Sequence, residues 1–198
     1  MVIPSPSRAR SMALVPPGKV DLSALRWIRH PEAPTGYSLR SGEDEIATLS
    51  WDPERRRLAR LETADGVYRL ERRGFLSPRI ALLREGEREV RGGLTSFFEG
   101  VHSRHAIALP TGIAWILARA GVSVPAWSIA ESGGAEVAHL EPIREGERLD
   151  GAIIEVEKAP PEPEVLVYAL ALAWYFIALA WFEDEVVAGW VDHGEGRF

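Results

Sequence analysis

The stretch VLVYALALAWYFIALAWF, residues 165–182, decides the fold of this chain. It contains no charged residue, no glycine and no proline over eighteen consecutive positions, which is typical of a helix. Because such a helix is apolar on every side, no face of it suits water, and it must be buried in protein or in lipid. At 1.5 Å per residue it would be about 27 Å long, which barely spans the hydrocarbon core of a bilayer. Length alone therefore does not decide between the two environments.

The charges that flank this stretch favour burial in protein. Carboxylates stand at both ends, and the nearest basic residues are Lys158 and Arg197. A membrane anchor normally carries Lys or Arg on its cytoplasmic side. We therefore predict a helix over 164–182 that the rest of the fold encloses, with a membrane tail anchor as the alternative. The acidic residues at 183–185 oppose the helix macrodipole, and a basic cluster elsewhere in the fold would balance them.

The chain before the helix consists of short alternating segments separated by turn residues, which is typical of antiparallel β-strands. The Asp65-Gly66 pair between two alternating runs predicts a hairpin. In the segment 45–51, the alternation places Ala47, Leu49 and Trp51 on the inward face. Twelve strands are predicted, over 37–40, 45–51, 57–63, 67–72, 79–84, 88–91, 95–98, 105–108, 113–118, 124–131, 136–141 and 152–157.

Twelve strands can close a barrel that is wide enough to hold one helix. We therefore predict a mainly β fold over residues 21–185, in which a closed antiparallel barrel of about twelve strands encloses the C-terminal helix. The Pro- and Ser-bearing residues 1–20 are predicted to form an irregular leader, and 186–198 a short C-terminal extension. The seven tryptophans are expected to fill the core, each with a polar edge near water.

Several kinds of chemistry are excluded by what the sequence lacks. With no cysteine, the chain has no disulfide, thiolate nucleophile or zinc ribbon. It contains no phosphate-binding loop, dinucleotide motif or G-x-S-x-G element, and neither a cofactor nor a metal is predicted. The apolar residues 12–15 are cut short by Pro16, too early for a signal peptide, so a cytoplasmic location is expected.

The net charge of −6 hides an uneven distribution. Residues 54–91 hold eleven arginines and seven acids, a balance of +4, whereas residues 131–198 hold four basic residues and fifteen acids, a balance of −11. An acidic chain is a poor nucleic-acid binder, but an Arg-rich face can meet an anionic surface. The candidate binding residues are Arg55, Arg56, Arg57, Arg60, Arg72, Arg73 and Arg79. The alternative interpretation is that these arginines lie on solvent faces of strands and pair with neighbouring glutamates.

Glu99, His102 and His105 form a second candidate site. On a helix the two imidazoles would share one face and could bind a metal. The segment is instead predicted to be a loop that enters a strand, where residues three apart face opposite sides. Both histidines are therefore expected to be solvated loop residues, and an active site at the barrel rim is kept as an alternative.

The strand number, the helix position and the run ADGVYRLERRGFLSPRIALLREG at 64–86 resemble the Tubby C-terminal-like superfamily in its bacterial members. That superfamily includes the phospholipid scramblases and the plant LURP-one-related proteins. The resemblance covers residues 37–182 and implies a twelve-stranded barrel threaded by its last helix, with a role in binding. Tubby proteins hold phosphoinositide head groups with surface Lys and Arg, and the seven arginines above would be the counterpart, without any Lys. The calcium-binding and palmitoylation features of scramblases have no match here.

The predicted function is a non-enzymatic binding module for an anionic phospholipid surface or an acidic protein partner, which would place the protein at a membrane periphery in the first case. One alternative is a tail-anchored membrane β-domain. The other is an enzyme with a rim active site around Glu99, His102 and His105.

Overall fold

Twelve antiparallel strands surround a single helix in the computed structural model of this chain. The structure describes residues 13–31, 33, 35–52, 55, 57–73, 79–99, 102–109, 111–120, 126–146 and 148–192, with the backbone alone for 97–99, 102–103 and 182–192. The strands are β1 Ala24–Arg29, β2 Gly36–Ser41, β3 Asp44–Trp51, β4 Leu58–Thr63, β5 Gly66–Arg73, β6 Arg79–Arg84, β7 Val90–Glu99, β8 His102–Ala108, β9 Ala114–Ala120, β10 Ala126–Glu131, β11 Glu136–Glu145 and β12 Arg148–Val156. The helix is α1, Pro163–Asp192, and a short 3-10 helix, Pro17–Lys19, precedes β1.

The strands form an up-and-down barrel in which each strand pairs with the next along the chain. The barrel is closed by β1 and β12, where Leu25 lies opposite Ile154 and Trp27 lies opposite Ala152. The predicted closed antiparallel barrel of twelve strands is therefore confirmed.

The predicted and observed numbers of strands are equal only because two errors cancel: one strand was missed, and another was divided into two. β1 was not predicted, since an apolar residue, Ile28, occupies an outward position of its alternation. β7 is one ten-residue strand where two were predicted, at 88–91 and 95–98. Gly93, in a glycine pair typical of turns, lies inside β7, where a Cβ atom would stand 2.2 Å from the carbonyl oxygen of Ile80. The glycine permits close approach of β6 and β7 and does not mark a turn.

The lumen of the barrel is filled by α1. From Val165 to Leu179 every helical residue except Phe176 is buried, and inward-facing strand residues such as Leu39, Leu61 and Leu140 surround them. The segment Pro163–Trp181 is long and apolar enough to cross a membrane, but 78% of its most apolar window is buried inside the barrel. The predicted enclosure of the helix is confirmed, and its all-round apolar surface is explained by a wall that contacts every side of it.

The helix is longer than predicted. It was predicted over 164–182, whereas α1 continues ten residues further, to Asp192. The segment after position 182 contains no proline and mostly residues that tolerate a helix, so nothing local ends it. The predicted extension 186–198 is therefore helical up to Asp192, and residues 193–198 lie outside the described part.

The second half of the predicted leader is attached to the barrel. The Val15 N–H donates to the Glu45 carbonyl over 2.8 Å, and Pro17 is buried. Residues 1–12 lie outside the described part of the chain.

Tryptophans fill the core as expected, but without the expected polar edge. Trp27 and Trp174 stack with ring centroids 6.2 Å apart, and Tyr37 meets Trp174 edge-on at 5.2 Å. The indole N–H groups of Trp27 and Trp174 are buried and find no hydrogen-bond partner among the described residues. Trp181 is half-buried, and the Arg144 guanidinium lies 3.9 Å from its ring centroid.

Two tyrosines of α1 anchor the helix near opposite ends of the barrel. At the entry mouth, defined by the turn that holds Asp65, the Tyr168 hydroxyl donates to the Asp65 carboxylate and lies 2.8 Å from the Tyr68 hydroxyl. At the exit mouth, defined by Arg57 and Arg72, the Tyr175 hydroxyl donates to the Arg57 carbonyl over 2.6 Å. These bonds fix the depth of the helix in the lumen.

The carboxylate at the entry mouth makes this anchor sensitive to acid. Burial alone would raise the pKa of Asp65, but hydrogen bonds from Thr63, Tyr168 and Tyr68 outweigh burial and lower it below the ordinary 3.8. Because the pKa is lowered in the folded state, the stabilisation is present above that ordinary value and is lost as the pH falls below it.

Candidate arginine face and buried histidine

Most of the predicted binding arginines meet at the exit mouth. Arg55 and Arg57 are exposed in the turn between β3 and β4, and the Arg72 N–H donates to the Arg57 carbonyl over 3.1 Å, which joins this turn to the end of β5. Arg73 and Arg79 are exposed on the outer wall of β5 and β6. We call Arg55, Arg57, Arg73 and Arg79 the arginine face. Arg56 lies outside the described residues.

Arg72 does not belong to this face. It shares the inward side of β5 with Tyr68 and Leu70, lies opposite buried Ile80, and is half-buried beside Phe176 of the helix. The period-two alternation of β5 predicts the inward orientation of Arg72, because a residue two positions after inward Leu70 also points inward. Arg72 therefore faces the lumen and not the outer wall with Arg73 and Arg79, and its role as a ligand-binding residue stays a prediction.

Arg73 and Arg79 are directly opposite each other across β5 and β6. Residues at such positions have Cβ atoms about 4.5–5.5 Å apart, and like charges placed there destabilise the sheet. The Arg73 guanidinium lies 3.0 Å from the Glu71 carboxylate, whereas Arg79 has no ion pair among the described residues. The arginine face therefore carries a positive charge that the described acids only partly balance.

Arg60 lies in a different, balanced environment. It is opposite Arg69 across β4 and β5, but it pairs with Glu62 and lies 3.8 Å from Glu85, while Arg69 lies 3.8 Å from Glu71. For Arg60 the alternative interpretation, a solvent-facing arginine paired with glutamates, is confirmed. Exposed pairs of this kind contribute only about 0–1 kcal/mol each.

A groove of about 610 Å³ lies over the outer wall of β4 and β5. The turn after β6 forms one side of it, since the Glu85 N–H donates to the Val67 carbonyl over 2.8 Å. The charged residues that line the groove are three arginines and three acids, namely Arg60, Arg69, Arg84, Asp52, Glu85 and Glu87. This equal balance does not favour an anion. The groove was not predicted, because it depends on how a turn folds back over a neighbouring strand.

His105 is buried inside the barrel, so its prediction as a solvated loop residue is wrong. It lies in β8 opposite Ser96, its Nδ1 is 2.9 Å from the Ser96 hydroxyl, and its ring centroid is 4.1 Å from that of Phe176. Its Nε2 has no partner among the described residues. His105 and buried Ile107 are two positions apart on β8, so the period-two alternation of a strand predicts that both face inward.

The other two members of the predicted rim site are placed by backbone alone. Glu99 and His102 lie opposite each other at the ends of β7 and β8, and their side chains are outside the described part. Among the side chains that the structure describes, no group of three or more His, Asp or Glu residues could hold a metal ion.

The buried imidazole predicts a pH dependence of stability. Burial lowers the pKa of His105 from the ordinary 6.5 to about 4. As the pH falls from 6.5 towards 4, the unfolded chain takes up a proton at this residue and the folded chain does not, so the free energy of unfolding should decrease across this window. Denaturant unfolding at several pH values measures the decrease, and His105→Phe should flatten it.

Ser96→Ala is the matched control for that experiment. It removes the hydrogen-bond partner of His105 but keeps the imidazole buried, so the variant should be less stable and should keep the dependence on pH. An unchanged slope in His105→Phe would show that another group is responsible.

No protein-family model, curated protein or solved structure matches this chain. The resemblance to the Tubby C-terminal-like superfamily therefore stays a prediction that rests on the residues quoted above.

Proposed function

We propose that the protein is a non-enzymatic binding module whose arginine face holds an anionic phospholipid surface. The observation that supports this most is the cross-strand pair of Arg73 and Arg79, in which two exposed arginines occupy directly opposite positions and only Arg73 has an ion pair among the described residues. A strand pair gains nothing in stability from this arrangement, whereas a phosphate surface would neutralise both charges.

The filled lumen supports binding at the outer surface. The helix residues Leu166, Leu170 and Trp174 are fully buried along the barrel axis, which leaves no room for a ligand of the kind that open β-barrels enclose. The small cavity beside Arg72 has a volume of about 60 Å³, close to the space of two water molecules. Within the described part of the chain, a ligand larger than this cavity therefore has space only outside the barrel.

Electrostatic attraction sets the expected behaviour of this face. Each Lys or Arg near an anionic membrane contributes about 1 kcal/mol, and the attraction falls off within a Debye length of about 8–10 Å at physiological salt. Four arginines near one mouth of the barrel would give reversible binding that weakens with salt.

The experiment is co-sedimentation of the whole protein with vesicles. We expect binding to phosphatidylserine-containing vesicles at low salt, little binding to pure phosphatidylcholine vesicles, and loss of binding at high salt. The double variant Arg73→Glu/Arg79→Glu should weaken binding by at least about tenfold, since it removes two contributions of about 1 kcal/mol each and adds repulsion.

The control is Arg88→Glu/Arg91→Glu, which makes the same change in net charge near the opposite end of the barrel, where both side chains are exposed. It should reduce binding much less. Absence of binding to anionic vesicles at low salt, or an equal loss in both double variants, would contradict the proposal. In that case an acidic protein would be the partner class to test next.

The two alternative functions have less support. A tail anchor would require the barrel to release a helix segment that is mostly buried inside it. A rim enzyme would need His105 at the surface, whereas that side chain is inside the wall. Both stay predictions from the sequence.

A further inference from the structure

Three exposed isoleucines form a cluster on the outer wall of β1, β12 and β11. Ile28, Ile143 and Ile153 have exposed fractions of 43%, 39% and 37%. The strand register places Ile28 and Ile143 on either side of Gly151, and Ile153 follows two residues further along β12. Outward-facing strand positions are usually polar, so these three side chains make an apolar patch, which we call the isoleucine face.

Gly151 lets the strands of this face lie close together. A Cβ atom there would stand 2.1 Å from the carbonyl oxygen of Trp27, so only glycine allows β1 and β12 to approach this closely. Gly151 is itself buried and adds no side chain to the outer wall, so Ile28 and Ile143 are the apolar side chains that flank it on the neighbouring strands.

Two opposite charges flank the apolar centre. In the register, Arg26 on β1 and Glu141 on β11 are the two neighbours of Ile153. Both are exposed, and neither has an ion pair among the described residues. The positive charge of Arg26 thus lies on one side of β12, and the negative charge of Glu141 lies on the other side.

We propose that the isoleucine face binds a second copy of this chain around a two-fold axis parallel to β12. Such an axis brings β1 of one copy over β11 of the other, as in aligned packing of two sheets. Arg26 of each copy then meets Glu141 of the other, and Ile28 meets Ile143. Ile153 lies on the axis and meets its own counterpart.

The charge pattern is what selects a second copy as the occupant. A face with a cation on one side and an anion on the other complements itself under this rotation, so the ion pair between Arg26 and Glu141 forms twice without any further partner. Glu155, exposed two residues beyond Ile153 on the same strand, also meets its own counterpart, and this repulsion together with a contact of three strands per copy gives a weak, reversible dimer.

The dimer does not depend on the phospholipid proposal. In the ring of twelve strands, β12 and β6 are six positions apart, so the isoleucine face and the arginine face lie on opposite sides of the barrel. Dimerisation would leave both arginine faces uncovered and pointing away from each other.

Charge exchange between two variants tests the proposal. We expect sedimentation equilibrium of the whole chain to show a monomer–dimer equilibrium. Arg26→Glu and Glu141→Arg should each weaken it by at least tenfold, because each puts like charges in contact. An equimolar mixture of the two variants should restore association, since Glu at position 26 in one copy then faces Arg at position 141 in the other.

Two further variants keep the test decisive. Ile153→Ser should weaken the dimer without a change of charge, and Arg148→Glu, exposed elsewhere on β12, should have a small effect, with circular dichroism confirming the fold of each. A chain that stays monomeric at about 1 mM would overturn the proposal. A mixture that associates no better than its components would overturn it as well.

Discussion

Trp174→Ala should lower the free energy of unfolding by about 3–5 kcal/mol. Trp174 is fully buried in the middle of α1, stacks on Trp27 of β1 and contacts the ring of Tyr37 of β2 edge-on. Both partners belong to a closed wall that cannot collapse inward, so the substitution leaves a cavity. Because domains are typically stable by about 5–15 kcal/mol, the loss would be a large fraction of the total.

Guanidinium unfolding followed by circular dichroism measures this effect. Trp181→Ala is the matched control in the same helix, since Trp181 is only half-buried and packs at the edge of the core, with the Arg144 guanidinium over its ring. It should cost clearly less than Trp174→Ala. Equal losses for the two variants would show that the core around Trp174 is less tightly packed than the ring distances indicate.

Gly151→Ala should destabilise the protein by about 3 kcal/mol, which is at the upper end for overpacking. The added Cβ would lie 2.1 Å from the Trp27 carbonyl oxygen. That oxygen is part of the backbone and cannot rotate away, so β1 has to move from β12. The movement would loosen the pairing of β1 with β12, which closes the ring.

The control for this prediction is another glycine of the same chain. Gly133 has no heavy atom within 4 Å of an added Cβ, so Gly133→Ala should change the free energy of unfolding by no more than about 0.5 kcal/mol. Gly93→Ala should behave like Gly151→Ala, since its Cβ would stand 2.2 Å from the Ile80 carbonyl. A stability of Gly151→Ala close to that of Gly133→Ala would contradict the close approach of β1 and β12.

The fold could be predicted from the sequence where the pattern is local and uninterrupted. The composition of 165–182 predicts a helix buried on all sides, even though the sequence does not show which strands surround it. The alternation in 45–51 correctly assigns Ala47, Leu49 and Trp51 to the inward face. The pattern failed in β1, where apolar Ile28 faces outward. It also failed in β7, where Gly93 permits close packing of two strands and does not mark a turn.

The candidate sites depend on register, which the sequence does not show. That Arg73 lies opposite Arg79 depends on how the chain connects β5 to β6, and the balanced pair of Arg60 and Arg69 likewise depends on a hairpin register. The isoleucine face is harder to predict from the sequence, because it joins β1 to the β11–β12 hairpin, and β1 becomes a neighbour of β12 only when the barrel closes. By contrast, the inward positions of Arg72 and His105 followed from simple alternation.

The position of the core helix after all twelve strands along the chain determines when this protein can fold during translation. Ribosomes release the wall first, and its inward faces have no packing partner until α1 has emerged. The last pairing of the ring joins residues as distant as Ala24 and Glu155, a contact whose long loop makes closure slow. Until α1 is added, the strands have an apolar face without a packing partner and two unpaired edges, features that favour aggregation. Folding of this barrel is completed by the segment that is synthesised after it.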